Sequence, residues 1–168
     1  MPRRLIRLAV LGALVALATA GAALAAAGGQ GTVTTTTHAH DVVLFTMATQ
    51  NPCTGESGTL TAVSANEVMH QTFFTAPGAD EFWATQTDEG TATFTPDDPG
   101  GVSATGHFQA WFGVSGNNRN SVEHDTNNFN LTGSDGSHIV VHAADHTTLN
   151  ANGNITVNFS NFDAHCSS

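Results

Sequence analysis

Apolar and polar residues alternate along most of the chain after residue 39, and turn-forming residues interrupt the alternation at short intervals. A period of two is typical of β-strands with one buried face, and the frequent Gly, Asn, Asp and Pro residues indicate short connections. The predicted strands are Asp41–Met47, Gly58–Val63, Val68–Thr75, Glu81–Thr87, Thr91–Thr95, Ser103–Val114, Val122–Thr132, Ser137–Leu149 and Asn154–Phe162. No helical period of useful length remains there, so we expect an all-β domain.

The turn sequences predict the topology. Asp135-Gly136 and Asn152-Gly153 each match a two-residue hairpin loop, and Asp88-Glu89-Gly90 is expected to close another hairpin. Such short connections predict an antiparallel up-and-down meander of about 8–9 strands. Closure would hide the edges of a long meander, so we favour a closed barrel, calycin-like or allene-oxide-cyclase-like by analogy of fold alone. The alternative is a two-sheet β-sandwich.

The N-terminal segment departs from this pattern. Residues 1–27 combine a basic start, an apolar run and small residues at its end, which are the parts of a secretory signal peptide. The apolar run approaches the roughly 20 residues that span a bilayer, so an uncleaved membrane anchor is the alternative. Residues 28–39 lack an apolar period and are predicted to form a flexible leader, followed by a single β domain over 40–168.

Export would change the charge of the chain. Three of its four basic residues lie in the predicted signal peptide, whereas all 14 acidic residues follow it, so Arg119 alone opposes 14 carboxylates and the formal net charge becomes −13. Such a surface excludes nucleic-acid binding and disfavours stable membrane association after cleavage. The negative charge also discourages self-association. We therefore expect an acidic, secreted, extracellular monomer.

The two cysteines, Cys53 and Cys166, are predicted to form a disulfide, because an isolated pair in an exported chain is normally bonded. The bridge would join an early loop of the domain to its last residues. Closing so long a loop stabilises the fold by roughly 4–5 kcal/mol in the chain-entropy description.

All nine histidines follow the predicted signal peptide, and the hairpins allow a prediction of where two of them point. If the Asp135-Gly136 loop has two residues, His142 lies opposite Phe129 and His146 lies opposite Asp125. This pairing would put both histidines on a largely apolar, inward-pointing face.

The next hairpin extends the same face. If the Asn152-Gly153 loop also has two residues, His146 lies opposite Phe159 and His142 lies opposite Asp163. Buried ionisable groups are costly unless they are paired, so such a cluster is either a structural network or a working site. The candidate catalytic residues are accordingly His142, His146, Asp125 and Asp163.

We predict neither a metal nor another cofactor. His142 and His146 are four positions apart on a strand, roughly 13 Å, which is too far to hold one ion. The chain contains no nucleophile elbow, P-loop or dinucleotide fingerprint. Aromatic bulk is ordinarily core packing, and its alternative role is to line a ligand pocket. The candidate pocket residues are His107, Trp111, Phe129 and Phe159.

Three segments resemble a group of small secreted bacterial proteins of unknown function. They are Thr49-Gln50-Asn51-Pro52-Cys53-Thr54-Gly55-Glu56, Thr105-Gly106-His107-Phe108 with Trp111-Phe112-Gly113, and Thr132-Gly133-Ser134-Asp135-Gly136-Ser137. The resemblance spans most of the predicted mature chain. It implies export, a β-rich fold and the terminal cysteine, and it carries over no activity or site residue.

The leading hypothesis is a secreted, non-enzymatic barrel that binds a small or partly apolar ligand. The first alternative is a barrel enzyme in which His142 or His146 performs acid–base chemistry. The second alternative is a structural or surface protein without a pocket.

Overall fold

The computed structural model describes residues 31–76 and 79–168, which form one antiparallel β-sheet. The predicted signal peptide, 1–27, and residues 28–30 of the predicted leader lie outside the described residues. The eight strands are β1 (Gly31–Ala39), β2 (Val42–Gln50), β3 (Ser57–Ala76), β4 (Ala79–Pro96), β5 (Ala104–Asn117), β6 (Asn120–Gly133), β7 (His138–Asn150) and β8 (Ile155–Ser167).

The strands follow the order β1-β3-β4-β5-β6-β7-β8, and β2 also pairs with β3. β1 and β2 lie end to end along one edge of β3, where β2 pairs with residues 57–64 and β1 with residues 67–75. From β3 onward each strand pairs with the next in sequence, which confirms the predicted all-β, antiparallel, meander-like arrangement. The described pairings form one sheet, not two, and leave it open between its first and last strands.

Strand β1 occupies residues that we expected in the flexible leader. It pairs with β3 along its whole length, and side-chain hydrogen bonds join Thr34 to Thr72 (3.0 Å) and Thr36 to His70 (2.8 Å). Threonine is β-branched and fits an extended backbone well. Because all but the last residue of β1 are exposed, no apolar alternation marks the strand in the sequence.

The hairpin predicted around Asp88-Glu89-Gly90 is wrong, because these residues lie inside the continuous strand β4. The partner strand β3 shifts register between Ser64 and Asn66 at this point, which is a β-bulge. Gly90 faces the bulge so closely that an added Cβ would collide with the carbonyl oxygen of Val63. The glycine therefore permits a close backbone approach in mid-strand, where its sequence context resembles a turn.

The β6–β7 loop is also longer than predicted. The Gly133 N–H donates to the carbonyl oxygen of Ser137 (2.7 Å), and Gly136 has a φ of 87°. These features define a three-residue loop with a left-handed glycine. His142 consequently lies opposite Asn128, so the predicted register is wrong by one residue. A slip of one residue moves every side chain of β7 to the face of the sheet opposite to the predicted one.

The register predicted between β7 and β8 is confirmed. His146 lies opposite Phe159, and His142 lies opposite Asp163. The turn after β7 is longer than two residues here as well, but a register shift at the end of β7 compensates for the extra residue.

The sheet curls around one apolar core. We call the face that carries this core the cavity face and the opposite one the outer face. The buried core residues are Ala62, Ala92, Phe94, Ala104, Phe108, Leu131 and Ile139, which come from β3 to β7. The predicted Cys53–Cys166 disulfide is confirmed, and it ties the loop after β2 to β8. A disulfide is compatible with an extracellular protein.

Within residues 31–76 and 79–168, no helix is both long and apolar enough to cross a membrane.

Candidate functional site

A cavity of about 290 Å³ lies within the curl of the sheet. Its lining residues come from every strand from β2 to β8, and most of them are apolar. This volume is about twice that of a 150 Å³ apolar cavity that accepts benzene, and it lies at the low end for small-molecule sites. The cavity therefore has room for a small organic molecule.

The apolar part of the cavity begins with two stacked rings. Phe108 on β5 lies directly opposite Phe129 on β6, with ring centroids 6.1 Å apart and ring planes at 27°. Phe108 is fully buried, so its ring is fixed by the surrounding core. Val141, Leu131 and Ile139 continue the same wall across β6 and β7. This wall offers dispersion contacts and aromatic surface.

The polar lining residues of β4, β6 and β7 lie in two neighbouring rows across the sheet. The first polar row is Gln86, Phe112, Asp125 and Asp145, on β4, β5, β6 and β7. The second polar row is Asp88, Ala110, Asn127 and Ala143, on the same strands. All eight residues line the cavity. The rows lie two positions apart along each strand, roughly 7 Å, and the second polar row adjoins the phenylalanine pair.

Neutral side chains hold two of the carboxylates in place. Asp88 accepts hydrogen bonds from the Ser64 hydroxyl (3.2 Å) and the Gln86 amide (2.9 Å), and Asp125 accepts one from the Asn127 amide (2.9 Å). Each amide donor is two residues from its acceptor on the same strand, so the bonds connect the two polar rows. They orient the carboxylates without cancelling their charge.

Burial raises the pKa values of two carboxyl groups in the polar rows, those of Asp125 and Asp88. Desolvation raises the pKa of Asp125 to about 6, with further contributions from the charges of Asp145 and Glu123. Burial also raises the pKa of Asp88, although its hydrogen bonds from Gln86 and Ser64 oppose the shift. Arginine and lysine are represented in the described residues by Arg119 alone, which is exposed in the β5–β6 turn. The polar rows therefore concentrate negative charge, and the charge of His124, next to Asp125 on β6, is the one that lowers the pKa of Asp125.

The structure separates the four predicted catalytic candidates. Asp125 lines the cavity, whereas His142, His146 and Asp163 lie on the outer face. His142 and Asp163 are brought opposite each other, but His142 is hydrogen-bonded to Asn128 through Nδ1 (2.7 Å). The outward position of both histidines follows from the three-residue β6–β7 loop.

The outer face has its own contacts. Asp163 forms an ion pair with His165 (3.0 Å) when that histidine is protonated, and both side chains are exposed. The ring of His146 meets the ring of His124 edge-on, with centroids 5.5 Å apart. These groups lie on open surface.

The predicted pocket residues also divide between the faces. Phe129 lines the cavity, and Trp111 borders it while its indole packs edge-on against the His124 ring, with centroids 5.3 Å apart. His107 and Phe159 are exposed and are not part of the lining. The residues predicted from sequence therefore include Phe129 and Asp125 of the cavity lining but omit most of the two polar rows.

The lining residues missed at the polar end include Asp88, Asp145, Asn127 and Gln86. The sequence places Asp88 in a turn, and the register error places Asp145 on the wrong face, whereas Asn127 shares the predicted inward face with Asp125 and Phe129 but is not singled out. A three-residue hairpin loop, with Gly136 at its left-handed position, would have put Asp125 opposite Asp145.

Among the described residues, no three His, Cys, Asp or Glu side chains converge in a group that could hold a metal ion. Comparisons of the chain with protein-family models, with curated proteins and with solved structures find no match. The resemblance to small secreted bacterial proteins remains a prediction.

Proposed function

We propose that this protein is exported and binds a small, largely apolar ligand in the cavity of its curled sheet. The observation that carries the proposal is the cavity itself, about 290 Å³ in volume and bounded by a phenylalanine pair and aliphatic side chains. The cavity is partly open to solvent, so a bound apolar molecule would remove its apolar lining from water. The space is therefore best explained by an occupant.

The acid–base alternative rests on His142 and His146, and neither belongs to the cavity lining. Both histidines lie on the outer face, away from the cavity. The alternative of a protein without a pocket leaves the cavity unexplained. Ligand binding accounts for the apolar recess and for the polar side chains that line part of it.

Binding can be tested with a neutral aromatic probe, 2-phenylethanol, titrated into the ¹⁵N-labelled protein. Saturable shifts of backbone amide resonances on β5, β6 and β7 are expected. A cavity-filling variant, Ala143→Phe, should abolish these shifts because Ala143 lines the cavity and is buried. Its matched control is Ala144→Phe, which adds the same ring to the outer face of the same strand.

If 2-phenylethanol and similar neutral aromatics produce no saturable shifts, the ligand-binding proposal fails. Equal loss of binding in Ala143→Phe and Ala144→Phe would also count against the cavity as the site. Circular dichroism and thermal melting establish that each variant is folded. Ala110→Leu, a smaller addition to the same lining, replaces Ala143→Phe if the latter does not fold.

Export is the second part of the proposal, supported by the sequence of residues 1–27 and by the Cys53–Cys166 disulfide. The full chain should be expressed in a bacterial host and the mass of the protein in the exported fraction measured. Cleavage after residue 25 or 27 and a mass two hydrogen atoms below that of the dithiol form are expected. Retention of the full-length chain in the membrane fraction would favour an uncleaved anchor instead.

A further inference from the structure

The polar end of the cavity carries charge of one sign. Asp125 and Asp145 lie directly opposite each other on β6 and β7, which places their Cβ atoms roughly 5 Å apart. Glu123 is close enough to Asp125 to raise its pKa, and Asp88 lies in the adjacent row on β4. Within the described residues, the one ion pair joins Asp163 to His165 on the outer face. The cavity carboxylates therefore have no salt-bridge partner there.

This arrangement lowers the stability of the protein when no ligand occupies the cavity. Asp125 is 6% exposed and Asp88 is 8% exposed, so both residues are buried. Their described hydrogen-bond donors are neutral amides and a hydroxyl. A buried charge is normally stabilised by an opposite charge, and a polar network that only supports the fold would include one or would be replaced by apolar residues. The one positive charge that favours ionised Asp125 is that of His124 on the outer face, so the cavity itself lacks a counter-charge, and this feature identifies the ligand class.

We propose that the cavity binds a small organic cation, an apolar body carrying a protonated amine, with the ammonium group held between Asp125 and Asp145. This inference rests on the ligand-binding function proposed above and specifies its ligand class. The apolar body would lie against Phe108 and Phe129, beyond the second polar row. Asp88, in the second polar row on β4, adds negative potential to the same cavity.

The neighbours of the acidic pair favour an ammonium group over other cations. Phe112 lies between Gln86 and Asp125 in the first polar row, where its ring borders the same cavity and can make a cation–π contact. A metal ion would require a converging set of three or more ligands, and no such set occurs in the described part of the chain. An anionic ligand would meet like charge at the acidic pair and across a mature chain of high negative charge.

The inference can be tested by isothermal titration calorimetry with three ligands of nearly equal size at pH 7.5 and low salt. The probes are 2-phenylethylamine, 2-phenylethanol and 3-phenylpropanoate, which are cationic, neutral and anionic. A charge-assisted hydrogen bond predicts that the amine binds about tenfold or more tightly than the alcohol, and the anion most weakly. Equal affinity of the amine and the alcohol would overturn the inference and leave the ligand-binding function in place.

Variants identify the group that recognises the amine. Asp125→Asn should remove most of the preference for the amine while leaving the affinity for 2-phenylethanol within about twofold, because the shape of the cavity is unchanged. Asp145→Asn should act in the same direction and provides a second reading if one variant folds poorly. Asp97→Asn, in an exposed loop, removes the same charge and should leave the preference intact.

Two outcomes would separate this inference from the function on which it rests. If none of the three probes binds, the ligand-binding function fails and the inference fails with it. If the amine is preferred but Asp97→Asn lowers the preference as much as Asp125→Asn does, the preference comes from the general negative charge of the protein, and the proposed amine site is refuted.

Discussion

Replacing Asp125 with asparagine should stabilise the fold at pH 8 and have little effect at pH 4. The side chain is buried, and its pKa is raised from 3.8 to about 6. Asparagine has the same shape, can still accept the hydrogen bond from Asn127, and can donate to Asp145 on the facing strand. The substitution therefore removes the charge while preserving the packing.

The sign and size follow from the raised pKa. Well below pH 3.8 the carboxyl group is protonated in both the folded and the unfolded chain, so it contributes no pH dependence. Between about pH 4 and 6 the unfolded chain releases this proton while the folded chain keeps it, so the free energy of unfolding falls as pH rises. Above pH 6 the full penalty is present, and the difference between 3.8 and about 6 corresponds to about 3 kcal/mol. Asp125→Asn should recover up to this amount at pH 8.

The measurement is urea denaturation of the mature oxidised protein at pH 4, 6 and 8, followed by circular dichroism. The gain in unfolding free energy for Asp125→Asn should grow from near zero at pH 4 to about 3 kcal/mol at pH 8. Asp97→Asn, at an exposed position, corrects for the loss of one negative charge. A variant that is equally or less stable than the wild type at pH 8 would refute the claim that the carboxylate is buried without adequate compensation.

Three further predictions test other parts of the structure. The double variant Cys53→Ser/Cys166→Ser should lose about 5 kcal/mol of unfolding free energy relative to the oxidised protein, because the bridge closes a loop with a sequence separation of 113 residues; equal urea midpoints for the two proteins would contradict this. Gly90→Ala should lower the melting temperature by several degrees or prevent folding, since the new Cβ would collide with the carbonyl oxygen of Val63, and a wild-type melting curve would contradict that geometry. His142→Ala should change the free energy of unfolding by no more than about 1 kcal/mol and leave binding of 2-phenylethanol intact, because this side chain lies on the outer face. Loss of binding would show instead that His142 belongs to the binding site.

The strand content was accessible from the sequence where one face of a strand is buried. Ser103–Val114, Val122–Thr132 and Ser137–Leu149 were predicted within three residues of the ends of β5, β6 and β7. In these strands an apolar or buried position recurs every second residue on the cavity face, so the alternation is visible. β1 has no such signal, since its threonines are held by backbone pairing and by hydrogen bonds across to β3.

The face of the sheet on which each side chain lies depends on loop lengths and β-bulges, which composition does not encode. Asp135-Gly136 fits a two-residue loop and also the three-residue loop that is present, and the two differ by one residue in register. That one residue turns His142 outward and brings Asp145 inward beside Asp125. The bulge opposite Gly90 led to a second wrong prediction, that of a hairpin inside β4, because a glycine beside two acids resembles a turn in sequence.

The corrected register also changes which residues need a functional explanation. Histidines on an exposed face cost little and require no partner, so their number in this chain carries no argument for chemistry. Buried carboxylates differ, because Asp88, Asp125 and Glu123 each have a pKa raised chiefly by burial. Each therefore destabilises the folded chain at neutral pH, and a fold selected for stability alone would fill the same space with leucine or valine.

A bound ammonium group would reverse the sign of this effect at Asp125, since an opposite charge favours the ionised carboxylate. Ligand binding should then stabilise the protein more at pH 8 than at pH 4, which is the behaviour of a site that lacks its counter-charge until the ligand arrives.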